Sequence, residues 1–348
     1  MIALPGLIDA HVHLRTPGQT HKEDLDTGTC AAIAGGFTHV LDMPNTTPPI
    51  SNEHTLKAKL VSIREHAHCD VSQFLGASPT NVETAHTLSK RVVGLKIYLG
   101  ETHGPLILYD PATAIAHMRR WPGHVAVHAE GWQLVAAIGI ARLLNRHVHC
   151  CHVARRTDIL FIRQAKESGA PITCEVTPHH LWLTDEDATR LHAMGYMKPT
   201  LGTAADRQAL WEHMEVVDCV ASDHAPHTRM EKDGSTPPPG VPGLETTLPL
   251  MLTAVHEGRL TMDRLVELLY HGPRRVYGLP EQPETEIKVA PDETYVLGKD
   301  PLYTKCDWTP FAGQRVYGRL HQVTLRGKTV YQDHQVNVEL NSHLQEAR

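Results

Sequence analysis

The chain has 348 residues, 41% hydrophobic and 21% charged, with a formal net charge of -6. That length can bury a large core, and no Lys/Arg block points to nucleic acid or an anionic membrane surface. The longest apolar run, at 134–141, is too short to span a bilayer. Seven cysteines without framework spacing, and an N-terminus without a basic-then-apolar leader, fit a reducing, cytoplasmic setting. With only 4 Phe and 5 Trp, the core must be aliphatic. The 26 His are many for this length, and a good part of them are grouped: His11/His13, His147/His149/His152, His179/His180 and His224/His227.

In chain order, short β-type runs fall at 7–13, 37–42, 71–75, 94–99, 125–128, 147–152, 172–175 and 217–222. Between them lie amphipathic stretches such as "NEHTLKAKLVSIREHA", "EGWQLVAAIGIARLLNR" and "RTDILFIRQAKESG", several of which stop at Gly or Pro. Such alternation predicts parallel βα units. Eight of them make a (β/α)8 TIM barrel, whose usual size is about 250 residues. An open doubly wound sheet would carry a glycine-rich turn after its first strand, and "HVHLRTPGQ" is not one. The stretch 230–243, "MEKDGSTPPPGVPG", reads as a loop beside the eighth strand. "LETTLPLMLTAVHEG" and "TMDRLVELLY" then read as helices. From about Pro280 the texture turns β-rich, with "RVYGRLHQVTLRGKTVYQ" alternating around an Arg-Gly turn. The expected organisation is a barrel over 4–279 and a small β-rich appendage over 280–348, joined by the extreme N-terminus.

The chemistry gathers at the strand ends. "GLIDAHVHLR" starts apolar and finishes with Asp9, His11, His13 and Arg15 two apart, so on a strand they share one face. They lie at the carboxyl end of the first strand, the end that carries barrel active sites. Two His two apart can hold one metal ion. The fourth strand carries Lys96, and the fifth to eighth end in His128, Cys151-His152, Glu175 and Asp223, all in the same layer. A lysine buried there is disfavoured as an ammonium. Carboxylation by CO2 turns it into an anion with two oxygens, able to bridge two cations; snorkelling to the rim is the plainer alternative.

The motifs "PGLIDAHVHLR", "MPNT", "GLKIYL", "HAE", "CHVAR", "CEVTPHHL" and "ASDHAPHT" followed by "PPPGVPGLET" closely resemble dihydroorotase of the amidohydrolase superfamily. The likeness is nearest to its animal form, a domain of a multifunctional pyrimidine-synthesis protein. It runs from about Leu4 to Gly278, and more loosely through "WTPFAGQRVYGRL". It implies a zinc-dependent hydrolase that interconverts N-carbamoyl-L-aspartate and L-dihydroorotate. By position, one Zn falls to His11, His13, the Lys96 carbamate and Asp223, and a second to the same carbamate, His128 and His152. The metals would activate water, and Asp223 would shuttle its proton. A third Zn of animal-type members maps to Cys151 and Glu175 beside His11 and Asp223. Against that reading, Glu175 also suits the orientation of a ligand His, and Cys151 a small core residue.

Arg15, as a bidentate clamp, with Asn45, His227 and the backbone near Pro239, matches the family's substrate contacts. Two departures stand out. Lys198-Pro199 replaces Arg-Pro, which keeps a charge but loses the planar fork. Thr102-His103 replaces a Thr-Phe pair on the loop over the substrate, weakening closure. The resemblance further implies a homodimer, membership of a longer polypeptide, and neither nucleic acid nor membrane as partner. The competing readings are a hydantoinase or allantoinase on the same barrel, and a barrel scaffold without catalysis.

Overall fold

The computed structural model describes residues 1–100 and 104–337. Strand β1 (Ile2–Pro5) runs through Gly6 into β2 (Leu7–Val12), and the chain then alternates strands with helices. The strands are β3 (Phe37–Asp42), β4 (Asp70–Gly76), β5 (Gly94–Tyr98), β6 (Val125–His128), β7 (Val148–Cys150), β8 (Ile172–Val176) and β9 (Cys219–Val220). β2 to β9 form one eight-stranded parallel sheet in sequence order. It closes on itself through a bridge from Val12 to His224 and a bond from His13 N–H to the His224 carbonyl, at 2.8 Å. This is the (β/α)8 barrel that the alternation predicts.

All eight predicted strands are present, and the eighth is the most shortened. The Asp9 carboxylate accepts the Ser222 N–H at 3.1 Å, taking a donor that a longer ladder would need. The helices start where their caps dictate. Asn52 caps Glu53–His66 in a reciprocal box with Thr55, while Gly131–Leu144 stops at Asn145 in the left-handed region (φ 49°). Arg156–Glu167 and Leu244–His256 follow the predicted stretches, and the second predicted C-terminal helix begins at Met262–Val266. Stretch 230–243 is irregular after one helical turn, Arg229–Lys232. No helix among the described residues is long and apolar enough to cross a membrane.

Two apolar layers hold the barrel. Between strands and helices lies an aliphatic shell of Leu, Ile, Val and Ala, with Phe37 and Trp121 among its few aromatics. Inside, Ile8, Ala10, Leu41, Phe74, Ala126, Cys151, Cys219 and Ala221 pack together, and Val276, Tyr277 and Leu279 join them. That apolar layer fills the interior beneath the strand carboxyl ends, where barrel active sites sit.

The β-rich C-terminal part forms a second, antiparallel sheet of β10 (Glu286–Val296), β11 (Arg315–Leu325), β12 (Lys328–Gln332) and β13 (Gln335–Val336). β1 is its edge strand, Ile2 facing Val289 on β10. The β11–β12 hairpin turns at Arg326-Gly327, both at positive φ (50° and 76°), the geometry of a tight hairpin. Gly318 sits at φ 87° where β11 crosses helix Leu244–His256; a Cβ there would lie 2.5 Å from Leu252 Cδ1.

Candidate active site

Pairing fixes which side chains meet. Tyr98 lies beside His128, Val127 beside Cys150, and Glu175 beside Cys219, so Lys96, His128, Cys151, His152, Glu175 and Asp223 ring the carboxyl end of the barrel. β2 adds His11 and His13 after a register irregularity between Asp9 and Val12. That irregularity changes the simple alternation: Ile8 and Ala10 face the interior layer, and His11 and His13 reach the mouth. Asp9 does not share their task. Its carboxylate accepts the backbone N–H groups of His11 and Ser222, and burial pushes its pKa up to about 7.

Nε2 of His13 lies 3.2 Å from Asp223 Oδ1, and Nε2 of His11 lies 3.5 Å from the same oxygen. The far nitrogens are occupied: His11 Nδ1 meets Glu175 Oε1 at 2.6 Å and His13 Nδ1 meets Asn45 Oδ1 at 2.8 Å. Each imidazole is thereby turned to present Nε2 inward, the arrangement in which a second group orients a ligand. Opposite them, His128 Nδ1 and His152 Nε2 stand 2.8 Å apart, and Lys96 Nζ lies 2.8 Å from Cys151 Sγ and 5.3 Å from the Tyr98 ring centre. Lys96 is fully buried and pairs with no carboxylate among the described residues.

Burial dominates the electrostatics. It holds the His13 pKa down to about 3, helped by Arg15, and His152 well below the usual range, helped by His128. Neutral imidazoles are the form that binds a cation. Burial raises Asp223 and pushes the Cys151 thiol up to about 12. Burial opposes ionisation of Glu175 too, yet His11 and His149 hold it well below the ordinary carboxylate value. Two triads of donor atoms, His11/His13/Asp223 and His11/Cys151/Glu175, lie within 4.8 Å and could each hold a metal ion. The donors fit zinc in type: imidazole, carboxylate and thiol. Arg15, His152 and Asp223 all have positive φ (58°, 35° and 46°), a rare conformation for such residues that marks strain at a functional site.

A cavity of about 430 Å³ opens beside this cluster, lined by His13, Arg15, Asn45, Lys198, Asp223 and Pro239 among others. Every substrate contact expected from the sequence except His227 lines it directly. His227 stands behind Arg15, whose Nη2 is 3.1 Å from His227 Nε2. Lys22 donates to His227 Nδ1 (3.1 Å), so Nε2 carries the proton and donates to the Pro239 carbonyl (3.0 Å). Burial, with Arg15 and Lys22 adjacent, keeps this imidazole uncharged far below the usual range. Thr102 and His103 lie outside the described residues. A larger cavity of about 590 Å³, against Glu245, Tyr295 and Arg319, holds none of the ligand set.

Several contributors escape the sequence reading. His149 holds the second Glu175 oxygen at 3.0 Å. Lys59 and Asp42 form a buried pair at 2.6 Å that anchors both sides of Arg15: Asp42 accepts the Leu14 N–H and Lys59 donates to the Thr16 carbonyl. His179 lines the cavity. The grouping of His147/His149/His152 and His179/His180 was the available signal for two of these. Nothing local marks Lys59.

The family described as Dihydro-orotase-like matches residues 1–84. The chain is 47% identical over 341 residues to the multifunctional protein CAD of Squalus acanthias, covering 97% of this chain and 15% of that protein. The multifunctional protein pyr1-3 of Dictyostelium discoideum is 46% identical, covering 96% and 15%. This chain thus spans less than a fifth of those relatives. The dihydroorotase of Pyrococcus abyssi is 34% identical over an alignment of 363 positions that covers 96% of this chain and 85% of that enzyme. Among solved structures, the inactive dihydroorotase-like domain of a Chaetomium thermophilum CAD-like protein superposes with a TM-score of 0.82 at 27% identity, covering 97% and 96%. An L-hydantoinase from Arthrobacter aurescens shares the fold, with a TM-score of 0.92 at 22% identity over 97% and 86%. By its sequence and its barrel, the chain belongs to the dihydroorotase family.

Proposed function

We propose that this chain interconverts N-carbamoyl-L-aspartate and L-dihydroorotate in pyrimidine synthesis, as a zinc enzyme with a carboxylated Lys96. The observation that carries the reading is the convergence of His11 Nε2, His13 Nε2 and Asp223 Oδ1 beside a cavity that also presents Arg15 and Asn45. One Zn would be held by His11, His13, Asp223 and the Lys96 carbamate, and a second by the carbamate, His128 and His152. Cys151 and Glu175, with His11, are the place for a third. When bound, the metals supply Lewis acidity toward the amide carbonyl and lower the pKa of water.

The chain's own residues do the rest. In ring opening, water adds to the ring amide carbonyl, the C–N bond breaks, and the ring nitrogen leaves as the ureido nitrogen. Asp223 accepts the proton of the attacking water and returns it to that nitrogen. In closure the steps run backward and water is lost. Arg15 pairs with the substrate carboxylate, Asn45 and the Pro239 carbonyl fix the ring edge, and Lys198 adds a second cation to the same wall. The inactive relative makes a scaffold the relevant second reading, and the complete ligand set argues against it. The catalytic unit would be residues 4–279, with 280–348 and the N-terminal strand as the appendage.

Helix Gly131–Leu144 carries Trp132 and Leu143, 84% and 73% exposed, with Ala136 and Gly139 between them on the same face. An exposed apolar face of this kind suits pairing with a second copy, so we propose a cytoplasmic homodimer, within a longer polypeptide as in the multifunctional relatives. The deciding experiment loads the protein with zinc and assays dihydroorotate beside hydantoin and allantoin. Turnover of dihydroorotate well above the other two is expected. Zinc-replete protein that turns over only hydantoin or allantoin, or nothing, overturns the assignment.

A further inference from the structure

Lys232 closes the helical turn Arg229–Lys232, and its side chain is completely buried. No carboxylate pairs with it among the described residues. Its Nζ donates to two backbone carbonyls, Tyr196 (2.9 Å) and Pro238 (3.0 Å), and lies 6.0 and 5.6 Å from the ring centres of Tyr196 and Trp308. A methionine would fill the same volume without the desolvation cost of an amine. Burial, with Arg15 nearby, brings the amine down to about 7; an amine and an ammonium both offer two N–H donors for the two carbonyls.

The carbonyls belong to two adjacent segments of the cavity lining. Tyr196 leads into Met197 and Lys198, and Pro238 into Pro239 and Gly240, all four of which line it. The second segment is "TPPPG", and three consecutive prolines have no N–H to give. After the prolines, Gly240 donates to the Tyr196 carbonyl at 3.0 Å. The prolines can offer no N–H to the facing segment, and Lys232 supplies a donor to one carbonyl on each side. Trp308 extends the fastening, donating from Nε1 to the His227 carbonyl at 2.7 Å, and His227 in turn holds the Pro239 carbonyl.

We propose that Lys232 is a positioning residue that ties these two segments of the substrate cavity lining together and so sets substrate affinity. The claim rests on the reading of that cavity as the dihydroorotate site. In zinc-loaded protein, Lys232→Met should raise KM for dihydroorotate by about tenfold or more and leave kcat within about threefold, the pattern of lost uniform binding. Zinc content should be unchanged, and exchange of the Gly240 amide should speed by about tenfold or more. Lys232→Gln keeps amide donors and should recover most of both properties. A Lys232→Met protein with wild-type KM and wild-type Gly240 protection overturns the proposal. Should that variant not fold, Lys232→Gln decides alone: recovery of Gly240 protection and KM supports the clamp, and loss of both despite retained donors refutes it. Exchange needs no turnover, so an inactive wild type would refute the functional reading and still leave the clamp to be judged.

Discussion

The mouth of the barrel and the antiparallel sheet treat polar side chains in opposite ways. At the mouth, Asp9, His11, Lys96, His128, His152 and Glu175 are all 2% exposed or less. His152 stands on strained backbone, as do the neighbouring Arg15 and Asp223, and these groups face one another, not water. In the sheet, charged and apolar residues alternate: Ile287, Val289, Val316, Val323 and Val330 are buried, and Glu286, Lys288, Arg315 and Lys328 reach solvent. Non-glycine residues with positive φ in that hairpin region sit in turns, as at Arg326 and Asp333. The sheet is arranged for stability, whereas the mouth holds groups in place that would be more stable elsewhere. Stability and activity should therefore separate between the two regions.

The largest expected effect is at Lys96. If Lys96 is carboxylated as proposed, Lys96→Met should lose zinc and reduce turnover by about a thousandfold or more, since methionine can carry no carbamate. The same change should raise the melting temperature of metal-free protein by a few degrees, because about 1–2 kcal/mol of amine desolvation disappears. Metal analysis, an assay and calorimetry on one preparation test both halves. A fully active variant, or one that melts lower without metal, would break the contrast.

Arg15 comes next. Arg15→Ala should raise KM for dihydroorotate by about 10- to 100-fold at unchanged zinc content, as expected for a lost charge-assisted pair. Lys198→Arg, restoring a planar fork, should leave affinity equal or better. Unaltered kinetics in Arg15→Ala would move the clamp to another residue.

The smallest effect on catalysis belongs to the sheet. Val323→Ala, at a fully buried position, should cost about 1–3 kcal/mol in denaturant unfolding and leave kcat/KM of the folded protein unchanged. A drop in kcat/KM would show that the sheet reaches into the site, and the contrast would have to be redrawn.

What was legible follows from the same difference. Parallel strands covered on both faces are continuous apolar runs, so "LIDAHV", "FTHVLD" and "GLKIY" were recognisable by where the apolar stretch stops. The hairpin of β11 and β12 was legible from alternation about Arg326-Gly327. The short β9 was overextended because the competing acceptor, Asp9, lies more than two hundred residues away in sequence (|i−j| of 213). In the site, His11, His13 and Asp223 were recognisable from strand-end chemistry and motif resemblance. The roles of Lys59, His149 and Lys232 were not, since each depends on a carbonyl or carboxylate supplied by a distant segment. Local pattern marks the strand-end cluster well and the residues that support it poorly.

The pairing of Ile2 with Val289 also has a consequence in time. A ribosome adds on the order of 10 residues per second, so β1 would wait about half a minute for its partner to emerge. The barrel has a similar delay, because β2 cannot close against His224 until the eighth unit has been made. Throughout that interval Leu4, buried in the finished protein, lacks its partner Ile287. Assembly is thus bounded by synthesis as well as by search, and β1, made well before β10, is among the last segments to be protected.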